Sequence, residues 1–146
     1  MKVLLSIKPE FANKIFSGKK KYEYRKTIFT KEVDKVIVYS TKPVGMLIGE
    51  FTIEKIIVDS PSVLWEKTQR DSGISKTFFD TYFEGRKQGY ALKITSPKLY
   101  DKPKNPIELI ESFVAPQSFK YIEEEISCGE PVSYTHLRAH ETDQYL

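Results

Sequence analysis

Histidine is almost missing from this chain. Of 146 residues only His136 and His140 are histidine, and both fall near the C-terminal end. Residues 1–135 therefore hold no serine- or cysteine-hydrolase triad built on histidine, no histidine-bound zinc and no histidine-pair ribonuclease site. His136 and His140 stand four apart, a spacing that can set two metal ligands on one helix face, but no clear third ligand neighbours them, so no metal is expected. The single cysteine, Cys128, leaves no internal disulfide framework and points to a reducing compartment, so a cytoplasmic location is expected. No apolar run approaches the ~20 residues that cross a bilayer, and the start Met-Lys-Val-Leu-Leu-Ser is too short for a signal-peptide core. A membrane partner is accordingly not expected. Neither a Gly-x-x-x-x-Gly-Lys-Ser/Thr loop nor Gly-x-Gly-x-x-Gly is present, which leaves P-loop hydrolysis and dinucleotide binding without support, and no cofactor is expected. Any catalysis falls to Lys, Glu, Asp, Tyr, Ser or Thr. A lysine can serve if burial lowers its pKa, and a glutamate if burial raises its own.

What is present is unevenly placed. The formal charge is only +3. Yet the stretch from Met1 to Lys35 holds Lys2, Lys8, Lys14, Lys19, Lys20, Lys21, Arg25, Lys26, Lys31 and Lys35 against Glu10, Glu23, Glu32 and Asp34. A basic end on a nearly balanced chain suits a polyanionic partner or a phosphate-bearing ligand, and it equally suits plain solubility.

The densest part of that stretch is Gly18 to Arg25, Gly-Lys-Lys-Lys-Tyr-Glu-Tyr-Arg. Before it, Pro9 to Ser17 reads as a helix with Pro in its first turn and Phe11, Ile15 and Phe16 sharing a face. Gly18 takes the position of a C-terminal cap with positive φ. From Lys20 to Arg25, Tyr22 and Tyr24 alternate with Lys21, Glu23 and Arg25, the period of a strand with one apolar and one charged face. Strand parity sets Lys21 beside Glu23 and Arg25. Lys20 joins them only if it still belongs to the turn. The alternative is a solvated charged face whose ion pair contributes ~0–1 kcal/mol.

The elements on either side are mixed. Val3 to Ile7 is a short apolar strand. Lys35 to Tyr39 is a strand apolar enough to be buried on both faces. Ser40 to Val44 is a loop, and Met46 to Val58 is a long strand whose pattern shifts phase as at a bend or bulge. Ser60-Pro61 opens a helix through Leu64, Trp65 and Lys67. Ser72-Gly73 breaks it, and Ser75 caps a second helix with an aromatic face of Phe78, Phe79, Tyr82 and Phe83, ending at Gly85. Gly89 to Thr95 is a strand, Asp101 to Pro106 a polar connection, Ile107 to Ile110 a short helix, and Pro116 to Ile122 a closing strand. Five or six strands interrupted by helices, with no βαβ regularity, give an α+β fold around a small bent barrel.

The pattern Gly-x-Lys-x-x-Glu-x-Arg, met by Gly18, Lys20, Glu23 and Arg25, resembles the signature of the ASCH domain, a relative of the PUA RNA-binding domain. Ser6-Ile7-Lys8-Pro9 and Tyr39-Ser40-Thr41-Lys42-Pro43 are similar to stretches of small stand-alone bacterial and archaeal ASCH proteins. The resemblance implies a PUA-like small mixed β pseudo-barrel with short helices packed against it, occupying residues 1–122. Residues 123–146 form a tail, expected to be disordered. Within it, Pro131 to Leu146 resembles the peptide translated from sequencing-adaptor DNA fused to a truncated gene, and is expected to be foreign and to pack poorly. A natural short C-terminal helix is the alternative.

Two functions compete. As an RNA- or nucleotide-binding module, the domain would hold phosphate in a basic cleft of Lys8, Lys20, Lys21 and Arg25. Tyr22, Tyr24, Tyr39 or Tyr90 would stack on an unpaired base, each being as readily a piece of barrel wall. Glu23 would accept from a base edge or orient Arg25. Ser40 and Thr41 could hold an anion, and Gln117 could read a base. The alternative is a small metal-independent hydrolase with Lys20 and Glu23 as acid–base groups. Some ASCH-like proteins are ribonucleases, and others are amidohydrolases acting on acetylated cytidine. That second group has a lysine in the Gly-x-Lys turn, a threonine three residues later and a glutamate in the helical insertion. Lys20 matches the lysine, but Glu23 stands at the threonine and the insertion position falls near Ser72, which puts that activity in doubt. A third class, a protein-interaction module, requires the rings from Phe78 to Phe83 to be exposed. RNA or a nucleotide-like ligand is the expected partner, and monomer and dimer both stay open.

Overall fold

Two runs of aliphatic residues, β1 (Lys2–Ile7) and β3 (Lys35–Ser40), lie side by side in parallel at the centre of the sheet, Val3 opposite Val36 and Ile7 opposite Ser40. All other pairings are antiparallel, as the computed structural model, which describes residues 1–109, 115, 119–122 and 137–139, shows. With β2 (Tyr22–Arg25), β4 (Met46–Asp59), β5 (Gly89–Lys104), β6 (Phe119–Ile122) and β7 (Leu137–Ala139), the order is β2-β5-β4-β3-β1-β6-β7. Helices α1 (Pro9–Phe16), α2 (Pro61–Thr68) and α3 (Lys76–Tyr82) pack against the sheet, and α4 (Pro106–Leu109) follows β5. This is an α+β half-barrel.

β4 and β5 are long and bend. Their register shifts between Leu47 and Gly49, Glu50 and Thr52, and Ile53 and Lys55, which accounts for the broken phase of the β4 pattern. β5 continues to Lys104, through the stretch from Asp101 to Pro106 expected as a connection. Its two prolines, Pro97 and Pro103, lie beyond the residues of β5 that pair with β2. There, among the described residues, β5 has only β4 beside it, and a missing N–H is tolerated at an edge.

The insertion between β4 and β5 buries an aromatic core. Tyr24 meets Phe79 and Phe83 edge-on at ring distances of 5.1 and 6.4 Å, and Trp65 lies 4.9 Å from Phe79. Tyr24 donates from its hydroxyl to Thr68 Oγ1 (2.7 Å), which donates in turn to the carbonyl of Leu64 (2.6 Å). Burial pushes the Tyr24 phenol pKa up, so this donor keeps its proton. Phe79, Tyr82 and Phe83 are buried, which removes the protein-interaction reading that needed them exposed. Ser75 caps α3 by accepting from the Phe78 N–H at 3.1 Å.

Of residues 123–146 only Leu137–Ala139 is described, as the edge strand paired to β6. Among the described residues no helix is long and apolar enough to cross a membrane.

Candidate functional site

Helix α1 ends where its periodicity stops. The Gly18 N–H reaches the Ile15 carbonyl (3.2 Å) and the Lys19 N–H the Lys14 carbonyl (2.9 Å), the paired bonds of a Schellman cap, with Gly18 at φ +84°. The Lys20 N–H also bonds to the Lys14 carbonyl at 3.0 Å, so Lys20 still belongs to the helix end, and β2 begins only at Tyr22 rather than at Lys20. This frees Lys20 from strand parity. Its ammonium turns back toward Glu23, 3.9 Å from Oε1, while Arg25 donates to Glu23 Oε2 at 3.3 Å.

The three groups are interior. Lys20 is 1% exposed, Glu23 0% and Arg25 1%. The charged side of the strand, expected to line an open basic cleft, is therefore covered. Lys20 Nζ donates to the carbonyls of Tyr22 (2.5 Å) and Ser72 (3.1 Å), with the Tyr24 ring 4.8 Å away. Burial lowers its pKa to about 8, against the pull of Glu23 upward and with Lys14 adding a smaller lowering. A lysine so placed exchanges its proton about pH 8 rather than in the strongly alkaline range of a free lysine.

The cover is the turn between α2 and α3. Lys14 Nζ donates to the Gly73 carbonyl (3.0 Å), and the Lys21 N–H to the Asp71 carbonyl (2.8 Å). A Cβ on Gly73, at φ +69°, would come within 2.4 Å of the Lys20 Cβ. Gly73→Ala is accordingly expected to lift the turn from Lys20, costing about 1–3 kcal/mol for the strained backbone. A thermal melt measures this; an unchanged midpoint would show that the turn does not seal the site.

The remaining candidates divide. Lys21 is exposed, and only its backbone joins the site. Its carbonyl accepts from Ile94 N–H at 2.9 Å. Lys8 Nζ stands 5.3 Å from the Phe78 ring, which stacks edge-on with Phe11. Phe11 in turn lies 5.9 Å from Lys20 Nζ. Ser40, buried, ends β3 and Thr41, half-buried, follows it beside the end of β1, where the Thr41 N–H bonds to the Ile7 carbonyl at 3.0 Å. No contact joins either to the Lys20 cluster among the described residues. Tyr90 pairs with Arg25 across β2 and β5. Tyr24 and Tyr39 are buried, unlike a stacking surface, while Tyr22 and Tyr90 are half-buried. Gln117 lies outside the described residues. In the sequence, Ser72-Gly73 reads as a helix break, with Ser72 near the insertion position of the amidohydrolase pattern, and Lys14 and Phe11 show no tie to the site. The one local signal was a glycine between two short helices, where close backbone approach is common.

The same fold recurs in known proteins. A crystal structure of the ASCH protein of Zymomonas mobilis superimposes with a TM-score of 0.79 at 28% identity, covering 84% of this chain and 88% of that one. A Zymomonas mobilis protein named ASCH domain-containing ribonuclease is 30% identical over 129 residues, 84% of each chain. The large ribosomal subunit protein uL22 of Ureaplasma parvum is 33% identical over 123 residues, 82% of this chain and 39% of its own length. The chain thus spans well under half of that curated relative. The family described as ASCH domain matches residues 5–110, which include the whole of the Lys20–Glu23–Arg25 cluster and its cover, and the chain belongs to the ASCH domain family.

Proposed function

We propose that this domain is an RNA-acting hydrolase in which Lys20 moves the proton, Glu23 stabilises the ammonium that forms, and Arg25 holds Glu23 in place. The observation that carries this reading is the buried ammonium of Lys20, with a pKa of about 8, set against a carboxylate that a guanidinium anchors. In its amine form Lys20 takes the proton of a ribose 2′-hydroxyl as that oxygen bonds to phosphorus and the bond from phosphorus to the 5′ oxygen breaks. The ammonium then returns the proton to the departing oxygen. The similar protein named as a ribonuclease supports this reading. Access requires the Asp71–Gly73 turn to swing off Lys20.

RNA cleavage is expected to rise with pH as Lys20 loses its proton, with an inflection near pH 8. Lys20→Arg keeps the charge but cannot lose the proton, so it should be inactive. A flat profile between about pH 6 and 10, roughly two units either side of that pKa, would sink the assignment.

A second reading, RNA binding without chemistry, is favoured by the exposed cations Lys21, Arg86 and Lys87, which can meet phosphate where the buried Lys20 and Arg25 cannot. Wild-type protein that binds RNA oligomers but never cleaves them would decide for it. Modified-nucleoside amide hydrolysis is checked in the same assay by offering acetylated cytidine.

A further inference from the structure

Where β2, β5 and the outer half of β4 run together, the sheet has two unlike faces. Register sets Arg25 opposite Tyr90 and Tyr90 opposite Val58, and likewise Glu23, Leu92 and Ile56 in line. Directly opposed residues share a face. The intervening row, Tyr24, Ala91 and Ile57, looks to the other side, where Tyr24 packs on α3. On the first face burial falls off steadily across the strands. Glu23, Arg25 and Leu92 are buried and Tyr90 is half-buried, while Ile56 is 37% and Val58 50% exposed. An apolar ledge thus leads from solvent to the buried charges.

Its border is cationic. Gln88 Nε2 donates to the Tyr90 hydroxyl at 3.2 Å and steadies the ring. Two residues before Gln88 the exposed loop carries Arg86, then Lys87, and neither has an ion-pair partner among the described residues. We propose that this ledge binds one unpaired base of an RNA strand, the Tyr90 ring with Val58 and Ile56 forming the platform and Arg86 and Lys87 meeting the flanking phosphates. Charge selects the occupant: a base in its strand joins a flat apolar face to negative charge on either side. A paired base keeps its faces stacked in the duplex, so the single strand is the form that fits. The inference rests on the domain acting on RNA and adds the side from which the strand arrives. Tyr90 is one strand from Arg25, about 5 Å across the sheet.

The test is fluorescence anisotropy with a labelled, unstructured RNA of about twelve nucleotides and a hairpin of the same composition. Tyr90→Ala should weaken single-strand binding about 5- to 100-fold, and Tyr90→Trp should restore it. The surface double variant Arg86→Ala/Lys87→Ala should reduce the salt slope by about 1.4 without altering the melting midpoint. Equal affinity of Tyr90→Ala and wild type, an unchanged salt slope, or equal binding of the hairpin overturns the proposal. So does a wild-type dimer that Val58→Glu splits, since the ledge would then serve a second copy. Loss of the hydrolase reading, with Glu23→Gln cleaving like wild type while the Tyr90 effects stand, leaves the ledge supported.

Discussion

Glu23→Ala is expected to destabilise the fold by about 3–5 kcal/mol, the largest stability effect of any single change at the site. Glu23 is completely buried between two cations. Removing it leaves the Lys20 ammonium and the Arg25 guanidinium facing one another in a low dielectric, with their shared counter-charge gone. Lys20 can escape by losing its proton, but arginine cannot. The drop in melting midpoint should therefore be about 10 °C or more near neutral pH. Glu23→Gln keeps an acceptor for Arg25 and should lose less stability than alanine, while cleavage falls with it. A loss of only a degree or two in the alanine variant would mean that water reaches the cluster and screens it. Replacing all three residues with apolar ones of similar volume (Lys20→Met, Glu23→Leu and Arg25→Met together) should leave stability close to wild type, because a buried ionic cluster offers little net stability over good packing.

Lys20→Met should have the largest effect on activity, a loss of about 10²–10⁴-fold in cleavage, the usual worth of a positioned acid–base group. Its effect on stability at pH 7 should be small, because two opposed terms meet. The ammonium is buried against its preference, as the fall from 10.5 to about 8 records, and methionine relieves that. Against it, the carbonyls of Tyr22 and Ser72 lose their donor. The pH dependence separates them. The Lys20 pKa is lower folded than unfolded, so between about pH 8 and 10.5 the unfolded chain holds the extra proton and the wild type gains stability as pH rises. Below about pH 8 both states are protonated and the full cost of the buried charge is present. Wild-type stability measured against Lys20→Met should thus improve by up to about 3 kcal/mol across that window. A constant difference would show that Lys20 is not held as a buried ammonium.

Much of the chain could be read from local pattern. The helix from Pro9, the Gly18 cap and the buried run from Lys35 follow from proline, glycine and β-branched periodicity, each of which acts within a few residues. The bends of β4 were visible as a broken phase. The run of β5 through Asp101 to Lys104 was hidden, because polar residues and proline look like a loop unless it is known that one edge of that strand pairs with no other strand among the described residues. The site was half legible. Spacing brought Glu23 and Arg25 to one side, and the only route for Lys20 to join them was the turn, as its hydrogen bond to Lys14 requires.

What local pattern could not give was the sign of the environment. Alternation of tyrosine with charge normally puts the charge in water, because a helix or strand read alone has solvent as its only other neighbour. Here Tyr24 is claimed by the aromatic insertion on one side, and on the other Glu23 and Arg25 are buried against each other and Lys20. The Asp71–Gly73 turn, some fifty residues further along, then seals Lys20. Spacing along the chain was enough to show which groups are adjacent and that residues 1–135 hold no histidine. It took the tertiary structure to make these groups dry, and hence to bring the Lys20 pKa down to about 8, since desolvation depends on every chain segment that excludes water and not on the strand that carries the charge.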